Sequence, residues 1–583
     1  MTENNLAAAM ASLRQLTAEQ KYNEAGRLCQ QLFAQAEQRA GCGDILQELA
    51  EINAVIVIES DDRPGIPEAA EQLKKYAGGA YSSFLLARLA WQDKKHLQAL
   101  LALERDFQLQ WQEGRLLIPP GSGYWQASGE VRAVICNLLA FAYKFFGVPE
   151  QAAHCYLLAS RTGTEAAVQQ ADYSNYLFNL HYLFLTREEY WQAHLCYNEL
   201  FAGAKRLLHD RKLAAERYRR RKKIRIGYIS PDFRHHVVLL FIWAMLTKYN
   251  AEEFEVYLFS NSHIEDKYSG YLRQQVQFWC NISSLSALQA AQVIQSQEID
   301  ILVELAGHSK DNCLPVLAYK PAPVQICGIG YFATTGLQTV DYFLTDSYLV
   351  NGDSARYFTE KLLVLPHSHF CYTALRETTP VQGAPCRRKG YVTFGSFNHL
   401  TKVNDTVLRV WAALLQQVPN SRLLLKCATL DDAAARELMH DRLTALGVSE
   451  ERFELRGFSL DYLQEYYELD IALDTFPYPG GGTTCDALYM GVPVITLGDG
   501  THGGNFGISL LKNIGLDFAC AENAAEYIVR AKVLAEDAEL LDALHLGLRR
   551  MMEESPVMDE QLYMKELEGA YHQIWADYLH GRD

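Results

Sequence analysis

One stretch of the sequence combines bare backbone with hydroxyl groups: LDTFPYPGGGTTCDALYMGVPVI, at residues 473–495. Gly480, Gly481 and Gly482 let a ligand approach the main chain, and Thr483 and Thr484 add hydroxyl donors where a helix is expected to begin. A helix N-terminus offers free N–H groups and a partial positive charge to an anion. The stretch therefore indicates a phosphate site. No Gly-Lys-Ser/Thr follows, so it is not a P-loop, and the alternative is a glycine-rich turn with a threonine cap.

A second cluster, FGSFNHLTKVND at residues 394–405, places polar side chains at the end of a predicted strand. Asn398, His399, Thr401 and Lys402 crowd the turn before the next helix. A lysine there can neutralise charge that builds up on a departing phosphate, which is often the largest electrostatic contribution to such a reaction. The alternative for Lys402 is an ordinary surface lysine.

Histidines mark two further predicted strand ends. In SPDFRHHVVLLF (230–241), Asp232, His235 and His236 lie where a strand gives way to a helix. A histidine facing a cleft can act as a base or a hydrogen-bond donor, because its pKa lies near neutral pH. His308 follows another strand in ELAGHSKDN (304–312), and KPAPVQICGIGYFATTG (320–336) supplies glycines and hydroxyls near the same edge. The alternative is that these histidines and turns are structural.

The elements that must position these clusters alternate between strands and helices. KIRIGYIS, FEVYLFS, VDYFLTD and KLLVLP read as strands of one unit, and GYVTFGSFN, RLLLKC, FELRG, DIALDT and VPVITLG as strands of another. Such alternation predicts two doubly wound parallel sheets. Ligands in these sheets lie at the carboxyl ends of the strands, so we expect the site in the cleft between the two domains.

The chain before these domains reads as helical, and we expect four parts in all. Segments beginning at residues 22, 96, 149 and 190 each place alanine beside large apolar residues, as helix-pair repeats do. Their uneven spacing leaves a degenerate tetratricopeptide-like (TPR-like) solenoid and an irregular helical bundle both open. We expect a helical domain over 1–215, α/β domains over 223–380 and 385–530, and helices over 531–583. The basic run 217–223 is expected to be a solvated linker.

Composition narrows the classes of function. A formal net charge of −16 argues against a broad nucleic-acid interface. The 13 cysteines contain no CxxC pair, which fits reduced thiols better than disulfides or a zinc site. The sequence MTENNLAAAM has no secretory pattern, and no long uncharged apolar run indicates a membrane span. These features predict a cytoplasmic protein without an integral membrane segment.

Taken together, the clusters resemble the catalytic half of glycosyltransferase family 41, the protein O-GlcNAc transferase and SPINDLY family. The resembling stretches are SPDFRHHVV, AGH with KPAPVQICGIGYFATTGLQTVDYFLTD, EKLLVLPHSHF, FGSFNHLTKVN and the glycine-rich stretch through GISLL. They cover about residues 223–530 in the family's order. The resemblance implies a GT-B fold of two Rossmann-like domains behind a TPR-like arm. It also implies an inverting reaction without a metal or other cofactor, from a nucleotide sugar to Ser or Thr hydroxyls of a protein.

The resemblance also assigns roles by position. His236 is expected near the reacting sugar and, with Lys402 on the diphosphate, is a candidate catalytic residue. The residues expected to bind the nucleotide sugar are His399, Gly481, Gly482, Thr483, Thr484 and Asp486. His308, Tyr331 and Thr334 are candidates for contact with the sugar or the acceptor. The sequence departs from the O-GlcNAc transferase pattern at His399, Gly482 and Phe332, near the expected sugar and acceptor.

The donor and the acceptor stay open at this point. UDP-GlcNAc is the first expected donor. GDP-fucose is an alternative, because the glycine-rich stretch is closer to the SPINDLY side of the family, whose plant members resemble a protein O-fucosyltransferase. Another UDP-hexose is a further alternative. An asparagine-modifying branch fits less well. A catalytically inactive helical-repeat binding module is the rival from another class, and a transferase acting on a small glycan or lipid is a further alternative. The expected partners are a protein acceptor and a nucleotide sugar, without nucleic acid, and a homo-oligomer stays open.

Overall fold

The computed structural model describes residues 3–39, 41–112, 114–375 and 379–582. The chain forms two compact units, residues 1–172 and 173–583. No helix within the described ranges is both long and apolar enough to cross a membrane.

The first unit is helical, with each helix packed against its neighbours along the chain. Small buried residues such as Ala25, Ala54 and Ala133 let the helices approach closely. This packing of consecutive helices is consistent with TPR-like repeats, one of the two arrangements that the sequence leaves open. The α-helices α1–α8 span Glu3–Ala18, Tyr22–Ala36, Gly43–Glu59, Ile66–Tyr76, Ala80–Gln92, His96–Asp106, Gly129–Phe145 and Pro149–Thr162. Between α6 and α7 lies an antiparallel pair, β1 (Gln110–Gln112) and β2 (Arg115–Leu117).

The second unit begins within α9 (Ala166–Leu180), earlier than the boundary expected near residue 215. The reason lies in side-chain contacts to the first α/β domain, such as Ser174 Oγ to His308 Nδ1 at 2.9 Å. Helices α10 (Arg187–Leu195) and α11 (Arg211–Arg221) follow. Most of the basic run, residues 217–221, is the end of α11 rather than a linker, and Arg217 pairs with Glu298 at 3.0 Å.

The first α/β domain contains a parallel sheet in the order β5-β4-β3-β6-β7-β8-β9. Its strands β3–β9 are Ile224–Ser230, Phe254–Ser260, Phe278–Asn281, Ile301–Glu304, Val324–Cys327, Tyr342–Asp346 and Lys361–Leu365. Its helices α12–α15 are Leu239–Thr247, Lys267–Gln275, Ala287–Ser296 and Leu314–Leu317. The strands are almost continuously apolar because helices cover both faces of such a sheet.

The second α/β domain contains a parallel sheet in the order β12-β11-β10-β13-β14-β15. Its strands β10–β15 are Val392–Ser396, Ser421–Lys426, Phe453–Arg456, Ile471–Leu473, Val494–Leu497 and Cys520–Ala521. Its helices α16–α21 are Cys386–Lys389, Asp405–Gln417, Ala433–Ala445, Tyr462–Glu465, Gly482–Tyr489 and Phe506–Asn513. The chain ends in α22 (Ala524–Glu536), α23 (Ala538–Glu553) and α24 (Glu560–His580), and α24 returns to the first domain, where the Tyr571 and Tyr228 hydroxyls lie 3.3 Å apart.

Both sheets reverse their strand order at one place, between β3 and β6 in the first and between β10 and β13 in the second. In chain order each sheet reads 3-2-1-4-5-6, the order of a dinucleotide-binding fold, and the first adds a seventh strand. Ligands bind at the carboxyl ends of the strands on either side of that reversal. Three of the clusters singled out in the sequence follow β3, β10 and β13 directly, and His308 follows β6. The architecture is the predicted one, two Rossmann-like domains after a helical region.

Candidate active site

The loop between β13 and α20 is organised by a buried acid, Asp474. Its carboxylate accepts hydrogen bonds from the backbone N–H of Thr475 at 2.9 Å and of Gly480 at 2.6 Å, and from the Thr496 hydroxyl at 2.9 Å. Burial raises the pKa of Asp474 to about 6, although these hydrogen bonds oppose the shift. Asp474 was not among the predicted site residues. Its position in the sequence, as an acid directly after a predicted strand, is the feature that could have identified it.

The glycines at the start of α20 leave room for hydroxyl groups and for the opposite domain. A Cβ atom on Gly480 would lie 2.5 Å from the hydroxyl oxygens of both Thr483 and Thr484. A Cβ atom on Gly482 would lie 2.5 Å from Val237 Cγ2, in the loop after β3. The glycine-rich loop and the loop that carries His236 are therefore in contact across the interdomain cleft.

The two threonines line a recess beside the neighbouring strand end. Thr483 Oγ1 donates to Asn398 Oδ1 at 2.8 Å, and both threonines share a cavity of about 10 Å³ with Asn398 and Asp474. Helix α20 begins at Gly482, so the N–H groups of its first turn lie beside these hydroxyls. Free N–H groups at a helix N-terminus are a common way for proteins to bind an anion such as phosphate.

Lys402 approaches the same loop from β10. Its Nζ donates to the Pro479 carbonyl at 2.7 Å and lies 3.9 Å from the centroid of the Tyr478 ring. Burial lowers the pKa of Lys402 to about 8, and the charge of Asp474 opposes the shift. His399 caps the short helical turn that contains Lys402, because its Nδ1 accepts from the Thr401 N–H at 3.3 Å.

His236 lies beside an acid in the opposite domain. Its Nδ1 is 3.3 Å from Asp232 Oδ1. Burial, with the charges of Arg234 and His235, lowers the pKa of His236 to about 4. Burial also raises the pKa of Asp232 to about 6, against the effect of Arg234. At pH 7 the pair is therefore a neutral imidazole next to a carboxylate.

His236 and Asp486 line one cavity of about 340 Å³ between the two α/β domains. Tyr462 lines it too, and its hydroxyl donates to Asp486 Oδ2 at 2.7 Å. Tyr372 donates to Asp486 Oδ1 at 2.9 Å. The cavity joins the predicted histidine of the first domain to the predicted acid of the second.

The candidate residues of the third cluster, His308, Tyr331 and Thr334, lie outside the cavity that His236 and Asp486 line. His308 is fully buried, and its Nε2 contacts the Thr335 carbonyl at 2.9 Å. Tyr331 is also fully buried, with its hydroxyl 2.7 Å from His194 Nε2. Thr334 donates to Glu360 at 2.7 Å and lines another cavity. These three side chains do not line the cavity that contains His236.

Replacing Gly480 with alanine tests the phosphate site. The new methyl group would displace the Thr483 and Thr484 hydroxyls, whose hydrogen bonds to a charged phosphate are worth about 1.5–3 kcal/mol each. We expect UDP affinity, measured by isothermal titration calorimetry, to fall about tenfold or more. Gly270→Ala is the matched control, because no heavy atom lies within 4 Å of its added Cβ. Equal UDP affinity in the two variants would contradict a phosphate at these hydroxyls.

Comparison with known proteins places this geometry in a family. SPINDLY of Arabidopsis thaliana, named a probable UDP-N-acetylglucosamine–peptide N-acetylglucosaminyltransferase, is 41% identical over 367 residues, which are 62% of this chain and 40% of that protein. SEC of the same plant, with the same name for its activity, is 28% identical over 62% of this chain and 38% of its own length. The chain thus spans about two fifths of the length of these relatives.

Among solved structures, a lysine-to-methionine variant of the Thermobaculum terrenum O-GlcNAc transferase is similar over 93% of this chain and 99% of its own, with a TM-score of 0.77 and 26% identity. The model of glycosyl transferase family 41 matches residues 186–375 and 387–567, more than half of the chain. The matched ranges contain both parallel sheets and every predicted site residue. The chain belongs to glycosyl transferase family 41.

Proposed function

We propose that the protein is an inverting, metal-independent glycosyltransferase that moves GlcNAc from UDP-GlcNAc to Ser or Thr hydroxyls of a protein. The observation that carries the proposal is the juxtaposition of two half-sites. Lys402 contacts the glycine-rich loop of one domain and Thr483 and Thr484 follow that loop; we call these three residues the phosphate corner. The loop that carries the His236–Asp232 pair contacts the glycine-rich loop from the other domain, through Val237 and Gly482. The relatives' names, which state peptide N-acetylglucosaminyltransferase activity for those proteins, support the donor and the acceptor class.

The phosphate corner supplies leaving-group stabilisation. As the bond between the sugar and the diphosphate breaks, negative charge grows on the departing oxygen. The N-terminus of α20 and the threonine hydroxyls are oriented before the reaction, so they stabilise this charge without reorganising. Lys402 adds a positive charge from a partly buried position, where electrostatic interactions are stronger than in water.

The His236–Asp232 pair supplies a proton acceptor. His236 Nδ1 lies beside two groups, the Asp232 carboxylate at 3.3 Å and the Val238 N–H at 3.4 Å. In the tautomer with the ring proton on Nδ1, facing Asp232, Nε2 can accept the proton of the acceptor hydroxyl. The hydroxyl oxygen then attacks the anomeric carbon on the face opposite the diphosphate, which inverts the configuration. The proton ends on His236 and the electron pair leaves with UDP. Asp232 stabilises the imidazolium that forms.

GDP-fucose as donor is the second candidate, which the resemblance of the glycine-rich stretch to the SPINDLY side of the family leaves open. The base-binding part of the site decides between the two nucleotides. The phosphate corner and the His236–Asp232 pair would serve either donor.

A donor panel tests the proposal. UDP-GlcNAc, UDP-glucose, UDP-galactose and GDP-fucose are each mixed with wild type and Lys402→Met, with and without EDTA. We expect one donor to raise the melting temperature of wild type and to be hydrolysed slowly, with neither effect in the variant. Hydrolysis that stops when EDTA is added would overturn the metal-independent mechanism. Failure of every donor to bind would overturn the transferase proposal.

A further inference from the structure

A strongly basic segment, residues 205–223, lies between the helical region and the first α/β domain. It contains 10 lysine and arginine residues and 2 acidic residues, in a chain whose formal net charge is −16. It consists of an irregular stretch and helix α11, and the proposed transfer reaction uses none of its residues. The sequence analysis predicted only a solvated linker for its last part, 217–223.

One side of α11 fixes the helix to the rest of the domain. Ala214 is buried, and the Tyr218 ring meets the Trp575 ring of α24 with centroids 6.3 Å apart. Arg221 forms an ion pair with Asp300, and both side chains are largely buried. These contacts hold the helix in place without using the residues of its other side.

The other side of α11 is exposed and basic. Residues seven apart lie on the same side of a helix, so Lys212 is aligned with Arg219 and Leu213 with Arg220. Glu216 is the acid on this side. Six cations of the segment are exposed and form no ion pair within the described part of the chain: Lys205, Arg206, Lys212, Arg219, Arg220 and Lys222.

The fold does not require this concentration of charge. Like charges that are close together on a helix repel each other and destabilise it. Only one carboxylate, that of Glu216, lies on the same side of α11 as Lys212, Arg219 and Arg220. The charge pattern is therefore complementary to an anionic partner outside the chain.

Two leucines among these cations also face solvent. Leu208 is 90% exposed and Leu213 is 45% exposed. The backbone at Leu208 is anchored, since the Leu207 N–H donates to the Tyr319 carbonyl at 2.7 Å and Gln295 donates to the Leu208 carbonyl at 3.2 Å. An anchored stretch thus presents a large apolar side chain to solvent. We call the six cations and these two leucines the basic surface.

Apolar side chains among cations favour a lipid bilayer as the partner. An anionic bilayer attracts each nearby lysine or arginine, and it also accepts leucine side chains at the boundary between its headgroups and acyl chains. A nucleic acid would contact the cations through its phosphates and leave the leucines in water. The rest of the chain is acidic, so an anionic bilayer would repel its other surfaces and orient the protein by this one.

We infer that the basic surface docks the protein on an anionic phospholipid bilayer, with the leucines at the headgroup boundary and no segment crossing the membrane. The docking would hold the protein at a membrane, where it could reach membrane-bound polypeptides. The inference goes beyond the proposed function and depends on neither the donor nor the acceptor.

Vesicle flotation of the full-length protein tests the docking. The probes are vesicles of phosphatidylcholine alone and vesicles that also contain about 30% phosphatidylglycerol, which gives the bilayer a negative surface potential. We expect binding to the anionic vesicles at about 0.1 M salt and release at about 0.5 M salt, because salt screens exposed charges. The phosphatidylcholine vesicles should not bind.

Two matched double variants locate the contact. Each lysine or arginine near an anionic bilayer strengthens binding roughly fivefold, so Arg219→Gln/Arg220→Gln should weaken vesicle binding about 10- to 30-fold. Arg387→Gln/Arg388→Gln removes the same charge from two exposed arginines elsewhere and should change vesicle binding less than about twofold. Both variants should melt within about two degrees of wild type, since the substituted side chains are exposed. Donor hydrolysis without vesicles should be unchanged in both.

Leu208→Ser separates a bilayer from a soluble polyanion. It should weaken vesicle binding about three- to tenfold and leave any binding to single-stranded RNA or polyglutamate unchanged. Leu460→Ser, at a leucine 87% exposed in another loop, is the control.

Four results would overturn the inference. They are failure of wild type to float with the anionic vesicles, equal vesicle binding by the two arginine variants, unchanged vesicle binding by Leu208→Ser, and tighter binding to RNA or polyglutamate than to the vesicles. UDP binding to wild type, measured in parallel without vesicles, reports separately on the proposed function.

Discussion

Lys402→Met is expected to lower sugar transfer by about 100- to 1000-fold while leaving the ligand-free protein at least as stable as wild type at pH 7. The rate falls because the variant loses the lysine that contacts the glycine-rich loop, where it donates to the Pro479 carbonyl at 2.7 Å. Losing one preorganised donor at a developing negative charge typically costs a factor of this size. Transfer is measured with the donor that the panel selects.

The expected stability follows from the burial of Lys402. A pKa lowered to about 8 means that the charged lysine costs the folded state up to about 3 kcal/mol at pH 7. Methionine removes that cost. The variant also loses the hydrogen bond and the ring contact of Lys402, and this loss offsets about 1–2 kcal/mol of the gain in stability. Because the pKa is lower in the folded state than in the unfolded state, the cost is fully present below pH 8 and disappears above about pH 10.5. The variant's advantage should therefore shrink between pH 7 and pH 10.

Denaturant titrations at pH 7 and pH 10 check the stability. Lys426→Met is the matched control, because Lys426 is a buried lysine at the end of the adjacent strand β11 that pairs with Glu465 at 2.8 Å. Removing Lys426 ends its contact with Glu465, which keeps Arg456 at 3.2 Å, and its hydrogen bond to the Gly457 carbonyl, so this variant should lose about 1–3 kcal/mol and keep its transfer activity. If Lys402→Met proves the less stable of the two, Lys402 is a structural residue.

The sequence was sufficient to predict the strand ends at which the candidate site is built. KIRIGYIS, FEVYLFS and VDYFLTD became β3, β4 and β8, and the helix expected after the glycines begins at Gly482. These predictions succeeded because period, turn residues and glycine content are local properties of the chain. The topology then placed Asn398 beside Thr483 and Lys402 beside Pro479, since strand ends on either side of the order reversal share one crevice.

The side-chain contacts of the site residues could not be predicted from the sequence, because the contacting residues come from distant parts of the chain. His308 has the spacing of a cleft histidine, yet its ring contacts Ser174 and the Thr335 carbonyl in the interior. Nothing in the sequence around Tyr190 signals that its hydroxyl would be buried without a partner, because that depends on which segments fold over it. Asp474 is missed for a similar reason: the hydrogen bonds it accepts include one from Thr496, on the next strand.

One buried acid joins the two α/β domains. Asp346, at the end of β8, accepts from the Ser509 hydroxyl on α21 at 2.8 Å and contacts His369 Nδ1 at 2.7 Å through the same oxygen. Its other oxygen accepts from the backbone N–H groups of Tyr348 at 3.0 Å and Leu349 at 3.2 Å. Asp346, His369 and Ser509 are each at most 1% exposed. The relative position of the two half-sites therefore depends on a carboxylate surrounded by donors.

Asp346→Asn is expected to destabilise the protein by about 3 kcal/mol, although the side chain keeps its size. In either orientation the amide NH₂ would face groups that donate to Asp346 in the wild type, so a buried polar group is left unpaired. Ser509→Ala, which removes one donor, should cost about 1 kcal/mol. Asp441→Asn, at a side chain 70% exposed, should change stability by less than about 0.5 kcal/mol. Denaturant titration at pH 7 gives all three values.

The pH dependence separates a carboxylate from a merely well-packed side chain. Burial raises the pKa of Asp346, but the hydrogen bonds and charge of His369 and the Ser509 hydroxyl outweigh burial and leave the pKa below its usual value. A carboxyl with a depressed pKa stabilises the fold above its unfolded pKa of about 4 and loses that contribution as the pH falls further. The stability difference between wild type and Asp346→Asn should therefore be full at pH 7 and shrink below pH 4. A difference that is constant across this range would mean that shape, rather than charge, holds the two domains together at Asp346.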